Sequence, residues 1–125
     1  MEKDKKTYAI IGAAMEVHRI MGPGHLEAVY HECTQIEFEE RNMPFISKPK
    51  LELYYKKRKL KKFYVPDFKV YHEYIVEIKA EKALCKEDEA QIINSLKTSK
   101  HRIGLLINFG EASLRYRRFI NSSDQ

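Results

Sequence analysis

The sequence predicts an α/β sandwich in which helices flank one mixed sheet. Three observations lead there. Apolar residues recur at helical spacing up to about residue 40, and from Phe45 the period drops to two. A nearly unbroken apolar run, residues 103–109, then follows a third helical segment. Such a run reads as a central strand buried on both faces. The helix before it reads as a crossover into the same sheet, right-handed if the strands are parallel.

The elements follow in order. Tyr8, Ile11, Ala14, Met15 and His18 step by three and four, which predicts an amphipathic helix ended by Met21-Gly22-Pro23-Gly24. A second helix carries Leu26, Val29, Tyr30, Cys33 and Ile36 on one face and Glu37, Glu39 and Glu40 outside. Asn42 and Pro44 close it. Leu51, Leu53 and Tyr55 alternate with Glu52 and Tyr54, as in a half-buried strand. Lys56-Lys57-Arg58-Lys59 is expected as a turn before a strand that begins near Leu60, and two more strands, 67–71 and 74–80, follow Pro66. A helix over 87–100 turns Ala90, Ile93 and Leu96 inward. Gly110 turns the chain into a last strand, 114–120, interleaved with Arg115, Arg117 and Arg118. The polar residues 121–125 are expected to fray.

A chain of 125 residues is sized for a single domain, with its core over about 8–120. No apolar run reaches the roughly 18 residues of a membrane span, and no signal-peptide pattern opens the chain, so a cytoplasmic protein is expected. Cys33 and Cys85 lie far apart without paired Cys or His spacing, which argues against a zinc site or a disulfide framework. His18, His25, His31, His72 and His101 show no ligand spacing. Neither a Gly-x-Ser-x-Gly elbow nor a glycine-rich phosphate loop is present. The net charge of +5 suits a polyanionic partner without requiring one.

The informative stretch is Tyr74-Ile75-Val76-Glu77-Ile78-Lys79-Ala80. In a strand Val76 and Ile78 point one way while Glu77 and Lys79 point the other, and charge in so apolar a segment needs compensation. A cross-strand ion pair would supply it. So would a site shared with Asp67, which lies ten residues earlier on the neighbouring strand. Two carboxylates brought together repel unless a cation neutralises them, and hard oxygen ligands are what Mg²⁺ or Mn²⁺ takes. A lysine beside them can orient an attacking water, which makes these the parts of a metal-dependent phosphodiesterase. The register supplies a check. Asp67 shares a face with Glu77 and Lys79 only if the loop between the strands has odd length or a bulge. A regular two-residue turn at His72-Glu73 would send it to the wrong face.

Pro66-Asp67 followed by Glu77-Ile78-Lys79 resembles the signature of the PD-(D/E)xK nuclease superfamily. Gly24-His25-Leu26-Glu27-Ala28-Val29-Tyr30 resembles the GxxExxY pattern of one family within it. Glu89-Ala90-Gln91 and Gly104-Leu105-Leu106-Ile107-Asn108-Phe109-Gly110 are similar to that family's later blocks. The resemblance covers residues 8–120. It implies a restriction-endonuclease-like sandwich with Asp67 and Glu77 as metal ligands and Lys79 as catalytic lysine. It also implies Glu27 as a helical acid added to the metal site, and Gln91 as a polar residue facing that site. Many relatives carry a tyrosine four residues after the glutamine, where this chain has Ser95. On its own, Glu27 also reads as a helix N-terminal acid, and Tyr30 as packing or as a hydrogen-bond partner of the site.

Lys56, Lys57, Arg58, Lys59, Lys61 and Lys62 fall within seven residues. They form a candidate phosphate-tracking surface or a solvated hairpin tip, and Arg115 and Arg117 are a second such candidate. The expected activity is metal-dependent cleavage of nucleic acid, DNA before RNA, with a homodimer or a larger partner completing the substrate channel. The alternative is a non-catalytic nucleic-acid- or protein-binding module that keeps the fold.

Overall fold

The computed structural model describes residues 4–121. Two helices, α1 (Lys5–Met21) and α2 (Glu27–Glu40), precede strand β1 (Phe45–Ser47) and the pair β2 (Leu51–Tyr55) and β3 (Arg58–Tyr64). Strands β4 (Phe68–Val70) and β5 (Tyr74–Lys79), helix α3 (Lys86–Ser99), and strands β6 (Ile103–Asn108) and β7 (Arg115–Ile120) complete the chain. One sheet runs β1-β4-β5-β6-β7. Its β5–β6 pair is parallel, joined through α3, and its other pairs are antiparallel. The predicted mixed sheet flanked by helices is thus the architecture found.

Strands β2 and β3 stand apart as a two-stranded sheet, a hairpin arm outside the main sheet. Its loop is tighter than the sequence predicts. Tyr55 pairs with Arg58 across Lys56 and Lys57, so Arg58 and Lys59 belong to the strand. Lys56 turns the chain at φ 55°. The alternation in β2 buries Leu51 but leaves Tyr55 64% exposed near the tip.

Two cores sandwich the sheet. On one face α1 and α2 pack Ile10, Ala14, Val17, Tyr30 and Phe38 against Phe68, Val76, Ile78, Leu105 and Ile107. On the other, Ile92 and Leu96 of α3 and Leu51 of the arm cover Ile75 and Leu106. Each Ile, Leu, Val or Phe among them contributes roughly 1.5–3 kcal/mol when fully buried.

The helical phases differ from those predicted. In α1 the buried set is Ile10, Ile11, Ala13, Ala14 and Val17, while Tyr8 and Met15 are exposed. In α2, Tyr30, His31, Thr34 and Phe38 face inward, and Leu26 and Ile36 face solvent. Helix α3 buries Asp88, Ile92, Leu96 and Ser99, leaving Ala90 and Ile93 outside. In α2 and α3 packing against the sheet selected a stripe that includes the polar residues His31, Thr34, Asp88 and Ser99, which apolar spacing does not mark.

The ends are pinned. Asp4 caps α1 by accepting the Thr7 N–H at 3.1 Å, and it also accepts from Tyr74 Oη and Arg118 Nη2, both at 2.6 Å. Burial alone would raise its carboxyl. These donors instead hold it well below the usual carboxylate range. Asn121 is buried rather than frayed, its backbone N–H donating to Arg102 O at 2.6 Å. The rest of the expected tail, residues 122–125, lies outside the described residues.

Candidate active site

The loop between β4 and β5 decides the site. Val70 pairs with Tyr74, leaving the three residues Tyr71, His72 and Glu73 between them. Tyr71 and His72 both take left-handed backbone, φ 54° and 65°, which closes this odd-length loop. Phe68 therefore lies opposite Val76, and Asp67, which immediately precedes β4, lies close enough for its charge and a side-chain hydrogen bond to act on Glu77. The register condition derived from sequence is met without a bulge.

Both oxygens of Asp67 are anchored. Oδ1 meets His31 Nδ1 at 2.8 Å, and Oδ2 accepts the Ile78 N–H at 2.7 Å. Glu77 Oε2 accepts from Tyr64 Oη at 2.6 Å. Burial, opposed by the Tyr64 hydrogen bond and reinforced by the charge of Asp67, pushes the Glu77 carboxyl up to about 7. A carboxyl raised in this way beside a second carboxylate invites a cation in place of its proton. The donors are all oxygen, so the pair fits a hard divalent ion such as Mg²⁺ or Mn²⁺.

Lys79 projects on the Glu77 side of β5 and lies 3.8 Å from Asp88 Oδ1, with its side chain 22% exposed. Asp88 sits in the first turn of α3 and accepts from the Cys85 N–H at 3.1 Å and from Cys85 Sγ at 3.2 Å. Glu81 and Asp88 share a hydrogen bond. That bond, with burial and the Asp88 charge behind it, pushes Glu81 up to about 7. Burial raises Asp88 too, but its hydrogen bonds to Glu81 and Cys85 leave it lowered. Among the described residues, Glu81, Cys85 and Asp88 form the one cluster of three potential metal ligands lying within 4.8 Å of one another.

Glu27 opens α2 just after the glycine turn, where Gly22 (φ 67°) and Gly24 (φ 106°) adopt conformations that favour glycine. Although exposed, it is raised by desolvation. Lys79 lowers it while Asp67 and Asp88 raise it, so Glu27 shares the field of the same corner. It does not join Asp67 and Glu77 in a compact three-ligand cluster. Tyr30 serves the turn rather than the site. Its ring stacks on Phe109 at 4.7 Å, and its hydroxyl donates to Gly22 O and accepts the His25 N–H.

Gln91 is exposed on α3, one turn beyond Asp88 and one turn before Ser95. Ser95 hydrogen-bonds the Tyr64 hydroxyl, so the arm reaches α3 one turn after Gln91. Lys56, Lys57, Arg58, Lys59, Lys61 and Lys62 are all exposed on the arm, with Lys59 3.6 Å from Glu52 Oε2. Arg115 and Arg117 are engaged by acids, Glu111 at 3.4 Å and Glu89 at 2.8 Å.

Sequence reasoning missed His31, Tyr64, Glu81 and Asp88. His31 meets its carboxylate 36 residues away, so no local spacing betrays it. Asp88 was legible only as an acid in the first turn of a helix.

No curated protein and no solved structure matches the chain. The family model of the PD-(D/E)XK nuclease superfamily matches residues 4–119, nearly the whole length, over the same elements that bring Asp67, Glu77 and Lys79 together. Nucleases of this superfamily typically use divalent metals, and membership suggests metal-dependent nuclease activity on a nucleic acid. The chain belongs to the PD-(D/E)XK nuclease superfamily.

Proposed function

We propose that this protein hydrolyses phosphodiester bonds in DNA, that it is of the GxxExxY type, and that it forms one domain. Asp67 and Glu77 hold Mg²⁺ or Mn²⁺, and Glu27 adds a carboxylate from the start of α2. When bound, the cation supplies charge stabilisation to the phosphodiester under attack. Lys79 orients the attacking water with its ammonium N–H groups and donates a hydrogen bond to the phosphate oxygen where charge develops. Gln91, exposed on the stripe between Asp88 and Ser95, positions the scissile group. The basic arm tracks the backbone and supplies counterion-release free energy. A second copy of the chain or a larger partner completes the channel.

The observation that carries this reading is the closeness of Asp67 to Glu77, with Glu77 pushed up to about 7 and Lys79 two residues further along the strand. The test is cleavage of single-stranded, duplex and branched DNA and of RNA with Mg²⁺ or Mn²⁺, comparing the parent with Lys79→Ala and Glu77→Ala. Cleavage lost in both is expected, with metal-dependent thermal stabilisation kept in Lys79→Ala and lost in Glu77→Ala. A folded parent whose melting temperature ignores divalent metal would overturn the reading.

A further inference from the structure

His31 plays no part in the reading above, yet its placement is tightly specified. It projects from α2 and is 8% exposed, and its ring stacks flat on Phe68 with centroids 4.2 Å apart and planes 9° apart. Both ring nitrogens are engaged, Nδ1 with Asp67 Oδ1 at 2.8 Å and Nε2 with Ser47 Oγ at 2.9 Å. An ionised Asp67 accepts only, so Nδ1 carries the hydrogen. In the neutral ring Nε2 then accepts from the Ser47 hydroxyl. Ser47 is itself fixed in β1, opposite Phe68. Ser47, Asp67 and Phe68 therefore converge on one imidazole, and that imidazole holds one carboxylate oxygen.

The other oxygen of Asp67 is held by the Ile78 N–H. With one donor on each oxygen, the carboxylate cannot rotate without breaking a bond, and its remaining lone pairs keep a set direction. Donors behind a ligand of this kind typically change metal affinity by about 10–100-fold when removed. We infer that His31 is a positioning residue that aims Asp67 at the cation, with Ser47 fixing its tautomer. The inference rests on Asp67 being a metal ligand.

A purely structural His31 would need only its flat ring against Phe68, whereas a positioning His31 needs its Nδ1–H. The experiment is Mn²⁺ affinity of the full chain, read from the free-ion paramagnetic resonance signal, with thermal melts to confirm folding. His31→Phe keeps the ring and removes the donor, so its Mn²⁺ affinity is expected to fall at least about tenfold. His31→Asn places an amide N–H near the Nδ1 position and should stay within about threefold of the parent. His31→Gln, whose amide lies nearer the Nε2 position, should behave like His31→Phe. A folded His31→Phe that binds Mn²⁺ like the parent overturns the inference. If His31→Phe does not fold, equal affinities in His31→Asn and His31→Gln overturn it instead. A parent that takes up no Mn²⁺ overturns the metal reading itself, which separates the two failures.

Discussion

The Tyr64 hydroxyl donates to Glu77 Oε2 at 2.6 Å and so ties the foot of the hairpin arm to the strand that carries the candidate metal ligand. The donor favours the carboxylate form, working against the burial that raises Glu77. Tyr64→Phe should therefore raise the Glu77 pKa further and weaken Mn²⁺ binding at neutral pH, because the proton competes better. Titrating Mn²⁺ at several pH values checks this. The variant's deficit should shrink as pH rises and the proton leaves both forms. A deficit independent of pH would assign Tyr64 a packing role alone.

Without metal, stability should fall as pH rises through the weakly acidic range. Glu77 is raised from its ordinary 4.5 to about 7 in the folded chain. Between those values the native state holds more protons than the unfolded one, which makes the slope of stability against pH negative. Glu81, raised by the same amount, adds to it. Urea midpoints between pH 4.5 and 8 should show the decline, and Glu77→Gln should flatten it in part. Added Mn²⁺ should restore stability at the upper end of the range.

Asp4 works in the opposite direction. Its carboxyl is held below the ordinary range, so the stability it contributes is present above the unfolded value and lost as pH falls. Asp4→Asn keeps a capping oxygen but gives up the charge. It should narrow the difference in urea midpoint between neutral and strongly acidic solution.

The arm makes a salt-dependence prediction. Lys57, Lys61 and Lys62 are exposed on the arm. Replacing all three with Ala should leave the fold intact and weaken nucleic-acid binding alike across sequences. On duplex DNA the slope of log affinity against log salt should fall by about 0.9 for each phosphate that is no longer neutralised. An unchanged slope would return these lysines to the role of a solvated tip.

Asn108 holds the path from β5 to α3. It is fully buried, and its Oδ1 accepts the Glu81 N–H at 2.9 Å while its Nδ2 donates to Glu81 O at 2.9 Å. Asn108→Leu leaves these backbone groups without their partner, at about 1–3 kcal/mol for each one that stays buried. Gly110 lies against the same segment, where an added Cβ would come 2.2 Å from Glu81 O. Both Asn108→Leu and Gly110→Ala should lower the urea midpoint, and a midpoint unchanged in either would show that the 80–81 backbone relaxes freely.

By itself the sequence determined the three helices, the order in which helices and longer strands follow one another, and the placing of Glu77 and Lys79 on one strand, but not the short strand β1. Helical spacing, the period-two stretches and the unbroken run at 103–109 depend only on neighbours a few residues apart. Glu77 and Lys79 were legible because charge in an apolar strand stands out locally, and Asp67 because it lies ten residues earlier, before the neighbouring strand. Tertiary structure decided the rest. The face taken by Asp67 depended on whether the chain at Tyr71 and His72 would accept left-handed backbone, which propensity does not fix. The arm left the main sheet although its strands look like the others, because pairing is selected by the surfaces available and not by strand pattern. The inward stripe of α3 followed its fit onto Ile75 and Leu106, so Ile92 displaced the expected Ile93. His31 and Tyr64 entered the site through contacts spanning 36 and 13 residues, a separation over which no sequence period survives.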